Sequence, residues 1–140
     1  VAWRVDLSAE VEKFLNDLTE EEFERVDACI SLLVEFGPNL PRPHSGEIKG
    51  SKHHSMKELR IRYGDEHFRV LYAFDPLRRA YLMVAADKAL YDFDGFYTKF
   101  IPIADDMFDK RIAESKTLKD AKAKKPKATQ AKAGKKGKKV

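Results

Sequence analysis

Hydrophobic residues recur along this chain in two distinct periods. Trp3, Val5 and Leu7 alternate with polar neighbours as in a short strand. Val11, Phe14, Leu15 and Leu18, and then Phe23, Val26, Ile30 and Leu33, return at the spacing of one helical face. Ser8 is placed to cap the first helix, Thr19 to Glu22 has the form of a capping box for the second, and Gly37-Pro38 stops the chain. The two helices are predicted to form a hairpin. Pro38 to Ser55, with prolines and glycines throughout, reads as a loop. From Lys57 the period falls to two, so that Leu59, Ile61 and Tyr63 go to one side of a strand and Arg60 and Arg62 to the other. Phe68 to Phe74 and Ala80 to Ala86 are apolar on both parities, as central strands covered on both faces should be, with Asp75-Pro76 starting the turn between them. Helical spacing returns at Phe96, Phe100, Ile103 and Met107, where Pro102 is predicted to kink the helix. The pattern predicts an α+β domain in which a helical hairpin packs on a small antiparallel sheet and a C-terminal helix follows.

If Gly64-Asp65-Glu66-His67 is the turn, Tyr63 pairs with Phe68, Ile61 with Val70, Leu59 with Tyr72, and Arg62 lands opposite Arg69. Like charges facing each other on a sheet repel, which makes sense where the pair meets an anion such as phosphate. The alternative is a solvated strand face whose arginines are neutralised by Glu58 or Glu66.

Charge alters the picture of the ends. The 140 residues carry a net +4, but residues 116–140 hold eleven Lys and one Asp, net +10, which leaves −6 on residues 1–115. The first stretch is predicted to be one domain with a single core, and the second, poor in apolar residues, a disordered tail. Within the body, residues 42–79 carry net +4 and all four histidines, whereas residues 1–41 carry −7. A basic sheet region lies among acidic helices. Cys29 stands alone in an apolar helical pattern and reads as a buried thiol, not as half of a disulfide or part of a zinc site. The neighbours His53 and His54 point to opposite sides of an extended chain and no carboxylate stands at helical ligand spacing, which argues against metal. No glycine-rich phosphate loop, nucleophile elbow, leader-like start or membrane-length apolar run is visible, so the expectation is a cytoplasmic protein without a cofactor.

In a meander the third strand ends near the first turn, which brings Lys88 towards Arg62, His67 and Arg69. Such a cluster suits a pentacoordinate phosphate carrying extra negative charge. RNA supplies its own nucleophile, the 2′-hydroxyl, so the protein has only to move protons and neutralise the phosphorane. Tyr91 or Tyr97 would add stacking or proton transfer, and His67, Tyr91 and Lys57 are candidate RNA contacts. Quieter readings stay open: Lys88 pairs with Asp87 or Asp92, and Tyr97 belongs to the core face of the last helix.

Three stretches carry a resemblance. Lys57 to Arg62 with Phe68 to Asp75, then Ala86-Asp87-Lys88, then Tyr97 with Ile101 to Asp105, resemble the "ELR … YRVLYAFDP", "GDK" and "WY … IPIAD" segments of the RelE/ParE-like toxins, and most closely their HigB or phage Gp49-like branch. The resemblance covers about residues 3–114 and departs from the pattern at Ala86 for glycine, at Phe68 for tyrosine and in the spacing between Lys88 and Ile101. It implies a RelE-like fold and the toxin of a type II toxin–antitoxin module, a ribosome-dependent mRNA endonuclease that needs no metal. Carried over residue by residue, the catalytic set is Arg60, Arg62, Arg69, Lys88 and Tyr97. The implied partners are a helix-turn-helix antitoxin in a hetero-oligomer, the ribosome and mRNA, with no membrane. Two other classes compete with this reading: a ParE-like inhibitor of DNA gyrase, which needs binding surface but no transition-state residues, and a nucleic-acid-binding protein acting through its basic tail.

Overall fold

A computed structural model describes residues 2–124 of the chain, with side chains through residue 118. The order is β1 (Val5–Leu7), α1 (Ala9–Asn16), α2 (Glu20–Phe36), β2 (Ser45–Glu47), β3 (Lys57–Tyr63), β4 (Glu66–Phe74), β5 (Ala80–Asp87) and α3 (Gly95–Lys124), with single 3-10 turns at Gly37–Asn39 and Lys88–Leu90. Both predicted caps form. Ser8 Oγ accepts from Val11 N at 3.0 Å, and Thr19 and Glu22 bond each other's backbone N–H reciprocally.

The sheet runs β1-β5-β4-β3-β2, antiparallel except that β1 lies parallel to β5 at the edge. Helices cover both faces. The hairpin α1–α2 packs Val11, Leu15, Val26, Ile30 and Leu33 onto Leu59, Ile61, Phe68, Val70, Tyr72 and Leu82, while α3 packs Phe96, Ile101, Ala104 and Phe108 onto Leu71, Ala73, Met83 and Val84. This two-sided cover explains the unbroken apolar runs of β4 and β5. The pairing shifts by one residue between Leu71 and Tyr72 so that Met83 is extra, which swaps the parity of β5 part-way along. Cys29 is buried in the hairpin core, where burial pushes its thiol up to about 11. Among the described residues no helix is long and apolar enough to cross a membrane.

Two expectations need correction. The stretch read as loop contains β2, a three-residue edge strand whose Ser-Gly-Glu sequence carries no strand preference and which is held by backbone pairing to β3. At Gly46 the strand passes close to the Arg60 guanidinium, which would have to shift to admit a β-carbon. The α3 helix also runs through Lys124, so residues 116–124 of the expected tail are helical, and residues 125–140 lie outside the described residues.

Candidate functional site

The hairpin between β3 and β4 turns on two residues, Gly64-Asp65, not four. Gly64 takes φ +61°, the conformation the first position of such a tight turn demands, and Glu66-His67 are thereby recruited into β4. The register moves accordingly. Arg60, and not Arg62, stands opposite Arg69, while Arg62 faces His67, Ile61 faces Phe68, Leu59 faces Val70 and Tyr63 faces Glu66. Because Leu59, Ile61, Phe68 and Val70 are committed to the α1–α2 core, the alternate residues Glu58, Arg60, Arg62, His67 and Arg69 share the opposite face. There Arg60, Arg62, His67 and Arg69, with Pro43 and His44 of the preceding loop, line a depression of about 460 Å³.

At the centre of the cluster lies the Glu58 carboxylate, which the strand pattern marks only as a neutralising neighbour. Glu58 is 2% exposed. Its Oε2 accepts from Arg60 Nε at 2.9 Å, its Oε1 accepts from Tyr97 Oη at 2.8 Å, and Arg69 Nε lies 3.7 Å from Oε1. The cross-strand pair of arginines therefore has its counter-ion built in. Arg69 Nη1 donates to Phe68 O at 3.1 Å, but its Nε is buried without a hydrogen-bond partner. The Arg62 side chain is exposed and carries no hydrogen bond or ion pair among the described residues. Glu66, the other candidate neutraliser, is engaged elsewhere: a hydrogen bond with Glu22, its own desolvation and the nearby charges of Glu22 and Asp87 raise its carboxyl to about 7.

Tyr97 comes from the first turns of α3, with its ring edge-on to Phe96 at 5.0 Å between centroids and Lys88 Nζ 5.6 Å from its own centroid. Burial raises the phenol above its ordinary value, the hydrogen bond and charge of Glu58 raise it further, and Arg69 offsets part of this. Tyr97 thus keeps its proton at neutral pH and directs it at Glu58. Beyond it a cleft of about 700 Å³ opens between the β2–β3 connection and α3, lined by Glu58, Arg60 and Tyr97 together with Arg42, Lys49 and Asp94.

The structure brings together Arg60, Arg62, His67 and Arg69, and it adds Tyr97 and Lys88 through the Glu58 bond and the ring contact. Lys57 does not join them. It lies on the other parity of β3, its Nζ 3.5 Å from Pro38 O. Tyr91 is half-buried, with its ring edge-on to Phe96 at 6.0 Å and Phe100 at 5.7 Å. His53 is tied to α3 through Asp109 Oδ1 at 2.8 Å. One sequence signal marks Glu58: it shares the parity of Arg60 and Arg62 on a strand whose other parity is all apolar or aromatic beyond Lys57.

Residues 13–109 match the family model of the phage-derived protein Gp49-like. The chain belongs to the Gp49-like family. Two Mycobacterium tuberculosis relatives of this Gp49-like protein carry the toxin names HigB2 and HigB3. The first is 37% identical over 91% of this chain, which spans only 63% of that relative's length, and the second is 37% identical over 78% of this chain and 93% of its own. The resemblance to the HigB and Gp49-like branch is thereby borne out. Among solved structures, a mutant of Escherichia coli toxin RelE in the free state is similar with a TM-score of 0.49 and 12% identity, covering 63% of this chain and 85% of that one. The archaeal RelE–RelB complex from Pyrococcus horikoshii gives 0.47 and 22%, covering 63% and 97%.

Proposed function

We propose that this Gp49-like protein is the toxin of a toxin–antitoxin pair and acts as an endoribonuclease on mRNA at the ribosome, in the cytoplasm, until a cognate helix-turn-helix antitoxin binds it. One observation carries the reading: three arginines and a histidine line a single depression on the sheet face opposite the helical hairpin, and a protonated tyrosine is bonded into the same cluster through Glu58. Arg60 and Arg62 are suited to grip the phosphates, Arg69 to stabilise the charge that builds on the phosphorane, and His67 or Lys88 to protonate the leaving oxygen. Tyr97 supplies a phenol for proton transfer at the reacting oxygens. The nucleophile belongs to the RNA, so paired carboxylates are not required. A protein that does this in its own cell needs a restraining partner, and the relatives' toxin names agree with that.

Induced expression tests the proposal. Translation should stop at once and transcripts should be recovered cut within their reading frames. Intact transcripts with continuing protein synthesis and an SOS response would favour the gyrase-inhibitor reading instead.

A further inference from the structure

Arg60, Arg69 and Tyr97 converge on one buried carboxylate, and that convergence constrains how the site can work. Two arginines placed opposite each other repel, and Glu58 offsets the repulsion only while both stay near it. RNA phosphate competes for the same cations. It offers two oxygens sharing one negative charge in the geometry a guanidinium fork matches, and Arg60 already lines both the depression and the adjoining cleft. Arg69 Nε, buried and without an acceptor, is a donor waiting for one. A buried carboxylate stripped of its cations cannot stay charged without a replacement, and the nearest exchangeable proton is the Tyr97 phenol proton across the 2.8 Å bond.

We infer that Glu58 is a positioning residue switched on by the substrate: phosphate draws Arg60 and Arg69 away from it, and Glu58 then takes the Tyr97 proton as Tyr97 takes that of the attacking 2′-hydroxyl. This rests on the ribonuclease reading. The step balances. The 2′-O–H bond breaks as the bond from the 2′-oxygen to phosphorus forms, its proton passes to Tyr97 Oη, and the phenolic proton passes to Glu58 Oε1. The bond from phosphorus to the 5′-oxygen breaks, and that oxygen takes a proton from the Lys88 ammonium. The products carry a 2′,3′-cyclic phosphate and a 5′-hydroxyl, with no change of oxidation state. When the product leaves, the arginines return to Glu58, and the proton it holds passes through Tyr97 and solvent to the Lys88 amine, which restores the resting state.

The test uses the full chain on ribosomes programmed with one defined mRNA, measuring Kd, single-turnover rate and product ends for the wild type, Glu58→Gln, Glu58→Asp and Tyr97→Phe. Glu58→Gln keeps an acceptor for the tyrosine but cannot take its proton. It should bind mRNA at least as tightly as the wild type, because the competing anion is gone, yet cleave about 10²-fold more slowly. Glu58→Asp should recover part of the rate, and Glu58→Gln combined with Tyr97→Phe should be no slower than either alone, as expected of groups acting as a unit. A folded Glu58→Gln protein that cleaves within a few-fold of the wild type overturns the inference alone. Should Glu58→Gln not fold, a full rate in Tyr97→Phe overturns it equally. A wild type that leaves the mRNA intact removes the ribonuclease reading and this inference with it.

Discussion

Arg60 and Arg69 face each other across β3 and β4 and share one counter-ion, the buried carboxylate of Glu58, 2.9 Å from the first and 3.7 Å from the second. The pair is therefore stable by itself, and in the proposed reaction phosphate displaces Glu58. Arg69→Ala should abolish growth arrest while the domain stays folded. Glu58 keeps its bonds to Arg60 and Tyr97 in that variant, so the loss of stability should be on the order of 1 kcal/mol. The loss of rate should be about 10²- to 10³-fold, typical of removing a donor to a developing oxyanion. Growth arrest and a thermal melt of the same variant check both halves.

Tyr97→Phe isolates the hydroxyl, since the ring contacts with Phe96 and Lys88 survive. About 1 kcal/mol of stability should go with the lost hydrogen bond, and cleavage should fall far more than that implies. The raised phenol has its own signature. A tyrosine that ionises later in the folded state favours folding below its unfolded value near 10, and this contribution is lost as pH rises through the folded value. Stability in strongly alkaline solution should therefore decline less steeply in Tyr97→Phe than in the wild type, as denaturant midpoints would show.

The α+β class, both helix caps and the three long strands were legible because each rests on local periodicity or capping chemistry. What failed was register. Gly64-Asp65 and Glu66-His67 are all acceptable turn residues, and both turn lengths keep Phe68 on the face of Leu59 and Ile61, where it packs beside Phe14 with ring centroids 5.5 Å apart, so parity alone does not choose between them. A shift of that kind re-pairs Arg69 with Arg60 and leaves Arg62 to His67. The face shared by the basic residues was legible, because parity is local. Glu58 as the hub was not, since its link to Tyr97 spans 39 positions and two elements. Tyr91 and Tyr97 look alike in the sequence, and only the direction of α3 decides which of them reaches the sheet.

Asp75 anchors α3 to the sheet side of the molecule. Its buried side chain accepts from Arg79 and from Arg111 Nε at 2.8 Å, and Arg111 continues to Asp6. Burial raises the Asp75 carboxyl, but the Arg79 side chain and backbone and Arg111 outweigh it and hold the group below the ordinary value. Arg79 still pairs Asp75 and Arg4 still pairs Asp6 when Arg111 is removed, so Arg111→Met should destabilise the domain by about 1–3 kcal/mol, as urea denaturation would show. A depressed folded value contributes stability above the unfolded value and loses it as pH falls through the folded one. Asp75→Asn should flatten the acid limb of the stability curve in the same titration.

Glu66 behaves in the opposite sense. With its carboxyl raised to about 7 against Glu22, its contribution is fully present below the unfolded value of 4.5 and disappears as pH rises through 7. The wild type should melt at a lower temperature at pH 8 than at pH 6, and Glu66→Gln, which keeps a hydrogen-bonding group without the charge, should narrow that gap. Melting curves for the two proteins at both pH values, with an unchanged gap in Glu66→Gln, would remove this pair as the source.

The basic C-terminus can be separated from the site by charge alone. Residues 125–140 carry seven Lys and no acid, whereas residues 1–115 are net −6, so the domain itself attracts polyanions only locally at its arginine face. Lysines that neutralise phosphates release counterions, and each such contact adds roughly 0.7 to the magnitude of the log-affinity against log-salt slope on single strands. A chain ending at Lys124 should bind one RNA with a clearly shallower slope and still cleave, because the residues of the proposed chemistry all lie before it. Titrations of both chains against that RNA at several salt concentrations decide the matter: superimposable slopes would make the lysines a solubilising appendage, and lost cleavage at matched occupancy would place them in the chemistry.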